Sequence, residues 1–248
     1  MDDLTIANFF TVALATGFGV AMINGLIHGY TGFGGALLTV PVLTFLYGPV
    51  EAIGMVGIIS LIGATQLVRE TAGQAQWRGV IPVCIGIALL TPVGSWLLFN
   101  IDADLVRRSM GGFILVFALI LLSGWTYRGP RGVLPSALVG SVAGGINGLT
   151  GVGGPPLALY YLSSPQPVDV QRANIVICII FLTIMMLTAI AVGGGYTKLV
   201  IMRALVITPA YIFGVWSGTR LFALAPKSWF KKVALIILMI TGLTVSLA

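Results

Sequence analysis

One eight-residue stretch of this chain is written twice. His28-Gly-Tyr-Thr-Gly-Phe-Gly-Gly35 returns as Asn147-Gly-Leu-Thr-Gly-Val-Gly-Gly154, with five of the eight positions identical at an offset of 119. Landmarks on both sides keep the same order. Gly25 and Ile27 match Gly144 and Ile146 at that offset, and Pro49-Val50-Glu51 matches Pro167-Val168-Asp169 at 118. Gly94, Leu97 and Arg107-Arg108 match Gly218, Leu221 and Lys231-Lys232 at 124. Such a series marks an internal duplication, and a duplicated chain is expected to fold as two related halves, here 1–127 and 133–248.

The sequence around the repeats decides their solvent. Of the 248 residues 58% are hydrophobic and only 8% charged, against about a quarter charged in ordinary soluble domains. Runs near twenty apolar residues, each able to cross about 30 Å of hydrocarbon, recur throughout. The expected fold is an all-α polytopic membrane protein. A soluble enzyme, a nucleic-acid binder and a disulfide-stapled secreted domain are excluded by the same arithmetic. The net charge of +6 is that of basic loop residues which orient membrane segments. Asp2 and Asp3 replace the basic start of a signal peptide, so the first apolar segment is expected to stay in the protein. Cys84 and Cys178 lie in apolar runs without metal or redox spacing and read as free buried thiols.

Ten embedded segments are expected, at 8–28, 33–47, 51–68, 79–100, 110–127, 133–150, 153–162, 172–193, 205–225 and 233–248. The second and seventh are short and follow the glycine breaks, as half-helices or re-entrant segments do. Five segments per half, all crossing, turn the second repeat upside down relative to the first, a recurring plan in secondary transporters. With the N-terminus outside, inward loops carry eight Lys and Arg (residues 69, 78, 128, 131, 172, 227, 231 and 232). Outward loops carry four (107, 108, 198 and 203), as the positive-inside rule asks. The alternative, eight crossings and two re-entrant segments, gives parallel repeats and an even charge split.

The glycine breaks are also the best candidate site. Non-helical backbone is tolerated at membrane depth only where it is buried in protein or lines a cavity. The N–H groups that open the next short helix favour an anion there, and Pro155-Pro156 reads as a helix start. Close helix packing is the competing use of such glycines. His28 and Asn147 precede the two breaks, and each can donate a hydrogen bond to an anion. His28, the only histidine, can also carry a proton; an ordinary interhelical contact is the other reading for both. Arg220 and Gln66 are polar groups inside segments and weaker candidates, Arg220 being near enough to Lys227 to snorkel to the headgroups. Glu51 and Asp169 read as acids at helix N-termini, and the five tryptophans as interfacial anchors. The chain has no ATPase motif, no catalytic constellation and no clustered metal ligands, so no cofactor, metal or nucleic-acid partner is expected.

Gly29-Tyr-Thr-Gly-Phe-Gly-Gly35 with Pro41, Gly148-Leu-Thr-Gly-Val-Gly-Gly154 with Pro155-Pro156, and the polar stretch Gly73-Gln-Ala-Gln-Trp-Arg78 resemble the TauE/SafE sulfite exporter family over nearly the whole chain. The resemblance implies a permease for sulfite, an organosulfonate or another small organic anion, integral to the plasma membrane (the inner membrane in a bacterium). It implies an anion pocket at Thr31, Gly34, Gly35, Thr150, Gly153 and Gly154. His28, Asn147, Gln66 and Arg220 join that set on chemistry alone. The reading is a secondary transporter working by alternating access. A passive anion channel is the alternative, and a membrane-embedded enzyme or assembly factor a more distant one. Coupling to H+ or Na+ and assembly as a homodimer are left open by the sequence.

Overall fold

The computed structural model describes residues 12–226 and residue 236. All of the expected tenth segment but Ile236, the basic residues Lys227, Lys231 and Lys232, Trp229, Asp2, Asp3 and the first residues of segment one lie outside the described residues. Within them the chain is all-helical. The helices are α1 (Val12–Thr31), α2 (Thr39–Tyr47), α3 (Pro49–Thr71), α4 (Trp77–Asn100), α5 (Ala103–Leu122), α6 (Val133–Thr150), α7 (Gly154–Leu162), α8 (Val168–Val192) and α9 (Lys198–Leu224), with a 3-10 turn at Ala72–Gln74. Residues 49–69 of α3 and all of α4, α6, α8 and α9 are long and apolar enough to cross a membrane. Leu89, Leu134, Val192 and Leu224 stand exposed on helix flanks, where lipid rather than water suits them. The chain is an integral membrane protein.

Helices α2 and α7 have nine residues each, about 14 Å of rise, or half of a bilayer core. Each follows a longer helix that stops at a left-handed glycine. The Gly32 N–H closes on the His28 carbonyl (2.8 Å), the Gly151 N–H closes on the Asn147 carbonyl (2.7 Å), and both glycines have positive φ. An L side chain rarely adopts that conformation, so glycine ends the helix there.

Glycines also set how the long helices cross. A Cβ on Gly25 would overlap the Tyr211 carbonyl and one on Gly29 the Val215 carbonyl, which brings the backbones of α1 and α9 together. In the other half a Cβ on Gly144 would lie 2.8 Å from the Ile87 carbonyl, and one on Gly148 would overlap that of Thr91. Residue numbers rise together in each set, so α1 runs parallel to α9 and α6 parallel to α4. Gly54 and Gly63 of α3 meet Val200 and Tyr211 in ascending order, whereas Gly54 and Gly57 meet Ile190 and Leu187 in descending order. Helix α3 therefore runs with α9 and against α8. Gln76 and Ser95, at the two ends of α4, meet Asn174 and Met186, so α8 runs with α4. The result is one group of α1, α3 and α9 and an opposed group of α4, α6 and α8. Leu43 of α2 reaches the Gly17 region of α1, so α2 carries the chain back to the end from which α1 set out.

Two expected boundaries move. Segments 110–127 and 205–225 begin earlier, as α5 and α9, because the charges read as loop residues lie inside helical turns. The Asp102 carboxylate accepts from the Asp104 N–H (2.8 Å), and Arg107 pairs with Asp104 one turn on (2.5 Å). The Thr197 hydroxyl accepts from the Val200 N–H (3.2 Å) and caps α9. Arg172 is likewise helical rather than part of a turn, and only 3% exposed. Glu51 and Asp169 occupy first turns, and Glu51 also pairs with Arg203 (3.2 Å). Cys84 and Cys178 are free thiols, distant in sequence but in contact across α4 and α8; Cys84 is half-buried rather than buried.

Candidate functional site

The two breaks meet. A Cβ on Gly154, which opens α7, would lie 3.9 Å from the Gly34 nitrogen and 3.9 Å from the Phe33 Cβ. Beside this junction is a cavity of about 50 Å³, lined by His28, Gly34, Gly35, Asn147, Gly153 and Gly154 among others. One water needs about 10–15 Å³ by the same measure, so the space suits a group of a few heavy atoms. Ile53, Val56, Leu182 and Met186 also line it, and among the described residues no Asp, Glu, Lys or Arg does.

His28 is 1% exposed. Its Nδ1 is hydrogen-bonded to the Tyr211 hydroxyl, and its Nε2 is buried without a hydrogen-bond partner. A buried polar atom left unpaired costs on the order of 1–3 kcal/mol. Gly35 makes the pair possible, because a Cβ there would overlap the Tyr211 hydroxyl and lie 2.6 Å from His28 Nδ1.

Asparagines, rather than a ligand alone, take up part of the break backbone. Asn147 Oδ1 accepts from the Gly153 N–H (3.1 Å), and its Nδ2 donates a long bond to the Leu182 carbonyl (3.5 Å). At the first break Asn24 does the equivalent work. With its amide oriented to satisfy both ends, its oxygen accepts from the Leu38 (3.3 Å) and Thr39 (2.6 Å) N–H groups and its nitrogen donates to the Gly34 carbonyl (3.2 Å).

The two threonines serve the chain itself. Thr31 Oγ1 lies 2.8 Å from the Ile27 carbonyl and 2.6 Å from that of Phe33, and accepts from the Phe33 N–H at 3.3 Å. Thr150 donates to the Ile146 carbonyl (2.8 Å) and accepts from the Val152 N–H (3.2 Å). These hydroxyls pin the helix ends and do not line the cavity. Gln66 is half-buried elsewhere on α3, and Arg220 is exposed on α9 with its guanidinium over Trp216 (4.1 Å). Neither reaches the cavity. Snorkelling describes Arg220, whose cationic head has no place in the interior.

Three residues at the site escaped sequence reasoning. Tyr211 and Asn24 are the first two. The third is Arg172, which donates to the Gly29 carbonyl (2.5 Å), lies over the Phe222 ring (4.2 Å) and abuts Gly32 with its stem. Asn24 carried a signal: it precedes His28 by four residues, one helical turn on the same face.

The profile of the family described as "Sulfite exporter TauE/SafE" matches residues 17–245. A curated protein of Cupriavidus necator, "Probable sulfite/organosulfonate exporter TauE", is 27% identical over 199 residues, covering 77% of each chain. No solved structure matches. With the two glycine breaks inside the matched span, the chain belongs to the TauE/SafE sulfite exporter family, whose members are transporters and not enzymes.

Proposed function

We propose that the chain exports a small sulfur oxyanion, sulfite or a short organosulfonate, across the plasma membrane. It does so by alternating access of two inverted five-segment repeats, 1–127 and 133–248, with the N-terminus outside. The observation that carries the reading is a cavity beside the meeting of two glycine breaks, lined by His28 and, among the described residues, by no charged side chain. His28 donates to the anion and is the proton-coupling candidate. Gly34, Gly35, Gly153 and Gly154 bring backbone close, and Asn147 holds the second break in shape.

The contacts of the long helices support the inverted plan over re-entrant segments. Gly25–Tyr211 and Gly29–Val215 translate into Gly144–Ile87 and Gly148–Thr91 by the same sequence offsets, 119 and 124, that align the motifs. Helices α1 and α6, which would be equivalent, belong to opposed groups. A re-entrant second segment would make α3 oppose α1, yet the two run the same way.

The test is flux of labelled sulfite in proteoliposomes. Gly154→Val puts methyl groups into the junction, where neighbours lie at ordinary distances. Overpacking of about 1–3 kcal/mol predicts roughly a tenfold or greater loss of flux. Gly19→Ala, on an open flank of α1, should transport normally. Full flux in Gly154→Val would remove the cavity from the pathway. Trans-stimulation by unlabelled anion distinguishes a transporter from a channel.

A further inference from the structure

Between α2 and α5 lies a second cavity, of about 550 Å³, within the roughly 300–1,000 Å³ common for ligand sites. It is separate from the glycine junction and its lining grades from charged to apolar. Arg107 and Arg108 stand at the end where α5 begins, and Phe45 and Leu115 line it as exposed apolar side chains.

Two polar groups there lack partners. Thr44 lines the cavity and is 1% exposed, and its hydroxyl makes no hydrogen bond. Thr71, Thr91, Thr150, Thr183 and Thr208 each donate to the carbonyl four residues back, so Thr44 departs from the pattern of the chain. Arg107 Nε is buried without a partner, although another nitrogen of the same guanidinium holds Asp104. The α5 N-terminus is already capped by Asp102 and is not needed for the argument. Gly111 and Gly112 leave the wall open, since a Cβ on either would meet nothing within 4 Å.

We propose that this groove binds one anionic glycerophospholipid. Its phosphate sits on Arg107 and Arg108, its glycerol-ester region reaches the Thr44 hydroxyl, and an acyl chain runs along Phe45 and Leu115. Guanidinium groups match phosphate oxygens in geometry and charge. With Asp104 balancing one arginine, the mouth keeps one net positive charge. That charge favours a headgroup with a net negative charge over a zwitterionic one, whose ammonium would face Arg108.

Native mass spectrometry of the purified full chain tests this, with phosphatidylglycerol, phosphatidylcholine and water-soluble glycerol 3-phosphate as probes. One phosphatidylglycerol per chain should be retained about fivefold better than phosphatidylcholine, as one net positive charge near a headgroup implies at about 1 kcal/mol. Arg107→Gln with Arg108→Gln should remove that retention. Gly112→Leu, which fills the groove and leaves both charges in place, should do the same with an unchanged unfolding temperature. Glycerol 3-phosphate in hundredfold excess should not displace the lipid; displacement would make this a site for soluble phosphate and overturn the proposal. Equal retention of the two lipids, or full retention in Gly112→Leu, would also overturn it.

Discussion

The Tyr211 hydroxyl is hydrogen-bonded to Nδ1 of His28, a residue that lines the junction cavity. A Tyr211 hydroxyl that donates to Nδ1 leaves the N–H on Nε2, the tautomer that donation to an anion requires. Tyr211→Phe should therefore cost about 1–3 kcal/mol of stability, because Nδ1 becomes a second unpaired buried atom. It should also raise the KM for sulfite more than it lowers the maximal rate. Thermal unfolding and liposome flux on one preparation check both.

His28→Gln keeps a donor at the cavity and removes the titratable ring. If His28 carries the coupled proton, flux in the wild type depends on pH and the variant flattens that profile while still binding sulfite. A wild-type pH profile in the variant would show that His28 only positions the anion.

Adjacent glycines give a sharper packing test. Gly144→Ala drives a methyl to 2.8 Å from the Ile87 carbonyl, whereas the nearest atom to a Cβ on Gly145 is Leu90 Cβ at 3.9 Å. Gly144→Ala should lower stability by about 1–3 kcal/mol through overpacking. Gly145→Ala should be neutral or stabilising by about 0.5–1 kcal/mol through helix propensity. Unfolding temperatures of the two variants check this directly.

Arg172 fastens α8 to the last turn of α1, just before the first break. A hydrogen bond from a charged donor contributes about 1.5–3 kcal/mol. Arg172→Met keeps much of the stem that packs on Gly32 and Phe222 but leaves the Gly29 carbonyl only the long bond from the Thr219 hydroxyl (3.5 Å). It should lose about that much stability and reduce flux, with Arg172→Lys recovering part of both.

Glu51 and Arg203 pair on the opposite end of the bundle from Arg172, with side chains about a third and a quarter exposed. Solvent screening keeps the coupling of such a pair under about 1 kcal/mol. A double-mutant cycle on Glu51→Gln and Arg203→Gln should read in that range. The guanidinium also lies over the Tyr47 ring (4.3 Å), so Arg203→Gln alone should cost more than Glu51→Gln alone.

How much of this the sequence carried depended on symmetry. The breaks, His28 and the helix at 133–150 were legible because glycine and proline act locally and the duplication repeats them. Asn24 and Tyr211 were not, because their equivalents at the repeat offsets are Ala143 and Ile87, and a search for matched pairs passes over them. Arg172 looked like a loop charge because burial depends on Phe222 and Gly29, which only the fold brings near. The threonines matched in both halves for a structural reason: each pins a helix end, a task that recurs wherever the break does. Arg107, Arg108, Lys198 and Arg203 misplaced two helix starts because the polar headgroup layer accepts charges inside helical turns.

The uncharged lining of the junction cavity has an electrical consequence. Arg172 is tied to the Gly29 carbonyl outside that lining, so the cavity itself supplies no charge to neutralise its cargo, and translocation feels the voltage across the membrane. For a monovalent anion, an inside-negative potential of about 100 mV favours outward movement by about 2.3 kcal/mol. Expulsion is the direction in which such a membrane performs work on this cavity's cargo, before any second ion is enlisted.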